Sequence, residues 1–206
     1  MQDKPKAQQG AAEPKKRSRG RTTEERLSRE DWIDAAWNLL SIGSIETIKV
    51  DKLAGQLNVT RGSFYWHFKN RTELLEAVVD RWLGNLGFQK VIVPLMSTPA
   101  PPEERLWKVF EYVVRNIKGP QSLVLRIWAQ RSRKVASRLA SEDEARISHY
   151  ESLFNELGFS PDEAMTRAEA YYAVVMSEYI RHANLTMAQR LSLARKQHDF
   201  LISKLE

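Results

Sequence analysis

Residues 60–68 of this 206-residue chain carry its densest concentration of recognition chemistry: Thr60-Arg61-Gly62-Ser63-Phe64-Tyr65-Trp66-His67-Phe68. Phe64 and Phe68 stand four apart, the spacing that puts two side chains on one helical face. With Val59 they read as the inward side. Arg61, Ser63, Tyr65, Trp66 and His67 then point outward or flank, with partial burial of Tyr65 and Trp66 against the first helix as the competing reading. Gly62 removes a side chain where another polymer's backbone could come close. Between Asn58 and Arg71 there are three basic residues and no acid. A cation, hydroxyls, an imidazole and two aromatic rings on one short helix suit phosphate contacts and base edges in a duplex groove.

Other chemistries find little support. There is no cysteine, which excludes disulfides, thiolate metal sites and cysteine nucleophiles. No Gly-rich phosphate loop, His-Glu-x-x-His or Gly-x-Ser-x-Gly motif occurs. Glu142, Asp143 and Glu144 read as helix-start charges. His149, His182 and His198 are scattered singles without metal-ligand spacing. No catalysis, metal or cofactor is therefore expected. The composition is 42% hydrophobic and 28% charged, with mean hydropathy −0.49, as in a soluble protein with a real core. Uncharged stretches such as residues 91–102 fall well short of the ~20 apolar residues a bilayer span needs. The first thirty residues hold no hydrophobic segment. A cytoplasmic location without a membrane partner is the simplest expectation.

Net charge is +6 and the sequence pI about 9.5, which favours an anionic partner. The excess is uneven. Residues 1–27 hold 8 Lys/Arg against 4 Asp/Glu, residues 28–88 hold 7 against 8, and residues 89–206 hold 17 against 14. Residues 1–27 lack hydrophobic periodicity and read as a disordered basic arm, either solubilising or touching DNA.

The elements that must position residues 60–68 are helices. Ser28 with Asp31 forms a capping box, after which Trp32, Ala35, Ala36, Leu39 and Leu40 recur at helical spacing up to Gly43. A short helix fits residues 50–57, with Val50, Leu53, Ala54 and Leu57 inward. Asn58 accepts the left-handed backbone that helix ends often require. Thr60 offers a cap for the next helix, through about Phe68. Asn70 or Thr72 starts a fourth, running out at residues 84–87. Two short helices about three residues apart make a helix-turn-helix pattern.

Four prolines mark residues 91–102 as a linker. Helices then fit residues 103–117 and 123–139. Ser141 with Glu144 reads as a capping box opening a helix that ends at Gly158. Ser160, Pro161 and Glu163 start another, and Thr186 the last. The expectation is an all-α chain of about nine helices: a basic arm at residues 1–27, a three-helix helix-turn-helix domain at 28–75 and a helical domain at 76–206.

Asn58 to Leu75 resembles, in an unbroken run, the turn, recognition helix and following helix entry of the TetR family of bacterial transcription regulators. The run of aromatics with His67 and Phe68, then Lys69 and the pair Leu74-Leu75, carries the resemblance, which extends over roughly a quarter of the chain. It implies that Thr60 caps the recognition helix and touches phosphate. Arg61, Ser63 and Trp66 fall at positions facing groove or sugar-phosphate, with Gly62 between them. Tyr65 and His67 fall where the family commonly contacts phosphate, and Lys69 at a further backbone-contact position. Asn58 replaces the frequent turn glycine. Lys49 stands where a Ser or Thr usually caps the second helix, so that cap is lost and a lysine faces phosphate instead. Arg71 and Lys52 read as ordinary solvated charges.

The C-terminal part carries two signals. Leu191, Ala194, His198, Leu201 and Leu205 form a narrow helix-packing stripe, and Tyr171, Val175 and Tyr179 belong to a broad apolar face on the preceding helix. By the resemblance these build a homodimer, although intramolecular core is the competing reading. Phe110, Trp128, Tyr150 and Met176 are candidates to line a pocket for an unknown small-molecule effector. The expected function is a regulator, a repressor in the commoner case, that binds a pseudo-palindromic DNA operator as a homodimer and is released by the effector. The alternative is a helical protein-binding adaptor with a basic tail.

Overall fold

The computed structural model describes residues 27–85, 88–116, 121–180 and 184–204. The expected basic arm, apart from Leu27, lies outside them, as do His182 and Leu205. Ten α-helices and no strand occur among the described residues.

The N-terminal head is built by α1 (Arg29–Leu40), α2 (Val50–Gln56), α3 (Arg61–Phe64) and α4 (Arg71–Asn85). The Ser28 hydroxyl accepts from the Asp31 amide at 3.3 Å, and the Asp31 carboxylate accepts from the Ser28 amide at 2.7 Å. This capping box fixes where α1 starts, and so which face turns inward: Trp32, Ile33, Ala35, Ala36, Leu39 and Leu40 are buried. A 3-10 turn, Ile45–Thr47, leads into α2. Asn58 ends α2 with φ 56°. The Val59 amide reaches back to the Ala54 carbonyl at 2.9 Å, the six-residue closure of a left-handed cap.

The body contains α5 (Val93–Met96), α6 (Pro102–Asn116), α7 (Gln121–Ala129), α8 (Arg133–Glu156), α9 (Pro161–Ser177) and α10 (Met187–Ile202). Its core joins Val109, Phe110, Tyr150, Phe154, Tyr171 and Ala194. The head's core does not stop at α4. It takes in Leu125 of α7 and Val135 and Leu139 of α8, so the first turns of α8 serve the head and its later turns the body. Lys134–Glu76 at 2.9 Å and Arg138–Asp80 at 2.5 Å tie α8 to α4 on the outside of this seam.

Three expectations need correction. Residues 91–102 are not a plain linker: a π-helical turn, Phe88–Ile92, runs into α5, and Ile92 and Met96 are buried. Proline is tolerated in a helix's first turn, where its missing amide has no partner to lose, and Pro94 takes that place in α5. Ser141 opens no helix. The break falls earlier, where the Ser132 hydroxyl accepts from the Val135 amide at 3.5 Å, and with no Gly or Pro between residues 133 and 156 α8 runs on through Ser141. Glu142 and Asp143 therefore face arginines rather than cap amides. Finally, Thr60 takes the extended backbone of an N-cap but its hydroxyl makes no capping bond, and α3 ends at Phe64. Looser turns carry the chain to Phe68, with the Trp66 amide bonding the Ser63 carbonyl at 3.4 Å and the His67 amide the Phe64 carbonyl at 3.0 Å.

Candidate nucleic-acid interface and internal cavity

Phe64 and Phe68 anchor the recognition segment. Both are buried, their rings stack at 5.4 Å, and Trp32 of α1 meets Phe64 edge-on at 5.3 Å. The Arg29 guanidinium lies over Phe68 at 4.7 Å. This aromatic cluster turns the intervening residues outward. Tyr65 is 52% exposed and Trp66 is 87% exposed. Thr60, Arg61, Gly62 and Lys69 are exposed, as is Lys49 at the start of α2, while Ser63 and His67 are half-buried. All nine residues expected from the sequence reach the surface of the head, with two of them partly recessed.

Its polar geometry is set locally. Arg61 donates to the Tyr65 hydroxyl at 3.3 Å and pairs with Asp51 of α2 at 3.5 Å. Asn70 accepts from the Glu73 amide at 3.0 Å, and Glu73 accepts from the Lys69 amide at 2.8 Å. The start of α4, and with it Lys69, is thereby fixed. A Cβ on Gly62 would meet only the Thr60 hydroxyl at 3.6 Å. The fold itself does not require a glycine there.

Arg71 is not a solvated charge. Its Nε donates to the Ile48 carbonyl at 2.5 Å and its Nη2 to the Ile45 carbonyl. It fastens α4 to the turn ahead of α2 and so fixes the angle at which the helix-turn-helix is presented. Nothing in the local sequence announces this, because the partners lie more than twenty residues upstream.

A cavity of about 80 Å³ lies where head and body meet. Trp37 of α1 and Trp82 of α4 form its head wall. Tyr112 of α6, Tyr150 and Arg146 of α8, and Tyr172, Met176 and Tyr179 on or just beyond α9 form its body wall. Trp82 donates from its indole nitrogen to the Ser122 hydroxyl at 3.1 Å. Of the pocket candidates, Tyr150 and Met176 line this cavity. Phe110 does not: it is fully buried in the body core. Trp128 packs against the head core instead. Trp37, Trp82, Tyr172 and Tyr179 were missed because the walls converge from helices far apart in sequence.

Beside the cavity runs an ion-pair network. Arg126 grips Asp143 through two bonds, 2.7 and 2.8 Å, and Arg146 reaches Asp143 at 3.0 Å and Glu142 at 3.5 Å. Burial alone would raise the Asp143 carboxyl. Hydrogen bonds from Arg126 and Tyr172 and the two guanidinium charges outweigh it and hold the group below its usual range.

The dimer candidates are mostly committed within the chain. Tyr171, Val175, Ala194 and His198 are buried, and Leu191, Leu201 and Tyr179 pack on the same core. Tyr171 donates its hydroxyl to the Leu106 carbonyl at 3.0 Å, which leaves its oxygen to accept from His198 Nδ1 at 2.9 Å. Burial, the leading cause, lowers the His198 pKa to about 4. The apolar groups left outside are others: Met165 of α9, Ile180 just beyond it (70% exposed), and Met187 and Phe200 of α10 (Phe200 72% exposed).

Among the described residues, no group of three His, Asp or Glu is placed to hold a metal ion, and no helix is long and apolar enough to cross a membrane. A helix-turn-helix head thus joins an all-helical body, with a basic and aromatic surface at the turn.

Residues 33–78 match the model of the bacterial regulatory proteins, tetR family. The uncharacterized HTH-type transcriptional regulator TtgW of Pseudomonas putida is 30% identical over 106 residues, which cover 51% of this chain and 74% of that protein. The class D tetracycline repressor protein of Escherichia coli is 43% identical over 53 residues, 26% of this chain and 24% of the repressor. The chain thus spans about a quarter of that repressor's length. A structure of AibR in complex with isovaleryl coenzyme A and operator DNA shares the fold, with TM-score 0.68 at 17% identity over 86% of this chain and 99% of that one. A TetR-like regulator from Rhodococcus sp. does so with TM-score 0.62 at 19% identity, over 85% of this chain and 97% of that one. The chain belongs to the TetR family of transcriptional regulators.

Proposed function

We propose that the chain represses transcription by binding a pseudo-palindromic operator as a homodimer, and that a small molecule in the cavity between head and body releases it. The observation that carries this reading is the outward presentation of Tyr65, Trp66, Arg61 and Lys69 by the Trp32–Phe64–Phe68 cluster. Trp66 lies almost wholly outside the head's packing and Tyr65 keeps only an edge contact with Phe64, so both leave aromatic surface exposed to solvent. Facing a groove, they and the cations give contacts to base edges and phosphate. Thr60, Tyr65, His67, Lys69 and Lys49 are the phosphate-contact set, and Arg61, Ser63 and Trp66 face groove or sugar-phosphate, with Gly62 allowing close approach.

Two copies joined through the exposed apolar faces of α9 and α10, around Met165, Ile180, Met187 and Phe200, place two such segments on successive major grooves. That geometry calls for half-sites about 34–36 Å apart. The division into an arm (1–27), a DNA-binding head (28–75) and a ligand-binding and dimerisation body (76–206) follows the same logic, although the head's core is completed by α7 and α8. AibR's structure holds both isovaleryl coenzyme A and operator DNA, which supports effector control of operator binding here. A ligand moves that balance only by its different affinity for the two states. The test is a gel-shift titration on duplex DNA selected by the protein itself. Tyr65→Ala and Lys69→Ala each weaken binding about tenfold, the worth of one or two lost phosphate contacts, while the oligomeric state stays unchanged. Undiminished affinity in both variants overturns the assignment.

A further inference from the structure

We propose that the cavity takes a small uncharged aromatic molecule, and that Trp37 of α1 forms part of its seat, so that the ligand bears directly on the DNA-binding head. Binding itself stands on the cavity alone. Only its regulatory consequence rests on the function proposed above.

Aromatic rings line the cavity from both sides: Trp37 and Trp82 from the head, Tyr112, Tyr150, Tyr172 and Tyr179 from the body. Such walls favour a planar ring, through stacked and edge-on contacts. Arg146 is the charged residue on the lining, so no lining carboxylate stands ready to pair with a cationic ligand. It does not call for an anion either, because Asp143 and Glu142 already neutralise it and Asp143 is itself gripped by Arg126. Two guanidinium and two carboxylate groups leave the network balanced. A buried anion would lose its hydration without gaining an unmatched partner. Burial pushes the Tyr150, Tyr172 and Tyr179 hydroxyls up, so the remaining polar groups are neutral phenols with Ser122, Asn116 and Gln121. These hydrogen-bond an uncharged polar substituent well.

Size adds the regulatory element. About 80 Å³ is roughly half the ~150 Å³ of an apolar cavity known to hold a benzene ring. A ring held wholly inside therefore needs a wall to give way. Trp82 is tethered to Ser122 at 3.1 Å. Trp37 sits five residues along α1 from Trp32, whose ring meets Phe64 at 5.3 Å, so pressure on Trp37 is carried along α1 to the anchor of the recognition segment.

Benzamide, benzoate and benzamidinium share one shape and differ in charge. Calorimetric titration of the full chain predicts saturable binding of benzamide at one site per chain, with the other two at least tenfold weaker. Trp37→Leu lowers benzamide affinity at least fivefold at unchanged helicity. Trp37→Phe, which keeps a ring, lowers it less and guards against a folding defect in the first variant. Tighter binding of either charged probe overturns the charge argument. Unchanged affinity in both variants removes Trp37 from the site, and no saturable binding of any of the three overturns the proposal. Duplex binding by the same preparation separates the two readings. DNA binding without ring binding sinks only this inference, and ring binding without DNA binding sinks only the regulator function.

Discussion

Phe64 and Gly62, two residues apart, show how differently neighbouring positions answer to fold and to function. Phe64 is fully buried between Trp32 and Phe68, so Phe64→Ala removes a ring from a packed cluster and costs about 3–5 kcal/mol of stability. Chemical denaturation monitored by circular dichroism checks this. A Cβ at Gly62 would make only an ordinary contact with the Thr60 hydroxyl. Gly62→Ala leaves stability unchanged or raises it by up to about 1 kcal/mol, through helix propensity, yet on the proposed docking it weakens duplex binding, because the added methyl would meet the DNA backbone. A variant that is stable and still binds DNA as well as the parent contradicts the role given to Gly62. Arg71 behaves like a core residue despite its charge. Arg71→Met strands two backbone carbonyls and costs about 2 kcal/mol or more, seen in the same denaturation experiment. The inward pair Phe64 and Phe68 was readable from sequence, because four-residue spacing is a local property, whereas the outward placement of Tyr65 rested on the family resemblance and that of Trp66 was left open. The part played by Arg71 was not readable, because its acceptors, Ile45 and Ile48, belong to another turn.

Helix boundaries followed the strength of their punctuation. Where a cap and its reciprocal partner are both present, as at Ser28 with Asp31 and Thr186 with Gln189, the start was legible to the residue. Asn58 was legible for a similar reason, since a left-handed position selects Asn or Gly. Asn58→Val, a β-branched residue at φ 56°, destabilises the head by about 1–2 kcal/mol. It lowers the thermal midpoint in calorimetry while leaving the body's helices intact. Ser141 misled because Ser-x-x-Glu is a start signal only where a helix is free to start. In α8 its carboxylate neighbours have a better use as partners of Arg126 and Arg146. The linker expected at residues 91–102 failed in the opposite way, since prolines stop a helix interior but not its first turn.

At the scale of the whole molecule, head and body share α7 and α8, and this makes the cavity a junction rather than a pocket confined to the body. Such convergence cannot be read from periodicity, which reports which face is apolar but not what it meets. The same limit explains the dimer candidates: the stripe of Ala194 and His198 was real, but it packs against Tyr171 and Leu106 within the chain. His198 gives a pH signature. Its folded pKa, about 4, lies below the unfolded value near 6.5, so the unfolded state binds the extra proton between these values. Stability is therefore full above about pH 6.5 and lost progressively as pH falls toward 4. His198→Asn, which keeps a donor toward Tyr171, flattens that slope in pH-dependent thermal denaturation; an unaltered slope contradicts it. DNA binding has its own whole-molecule signature. In the proposed dimer, Lys49 and Lys69, with Arg61 where it meets sugar-phosphate, would neutralise up to about six phosphates from two copies, which predicts a slope of log affinity against log salt of about −5.

The most direct test of the paired recognition surface is selection from a random duplex library with the purified full chain, followed by sizing of the complex on the enriched site. Two copies on one inverted repeat, with half-site centres about one helical turn apart and enrichment abolished by Tyr65→Ala with Lys69→Ala, is the predicted result. Enrichment of nothing, or a single copy on a site without dyad symmetry, contradicts it.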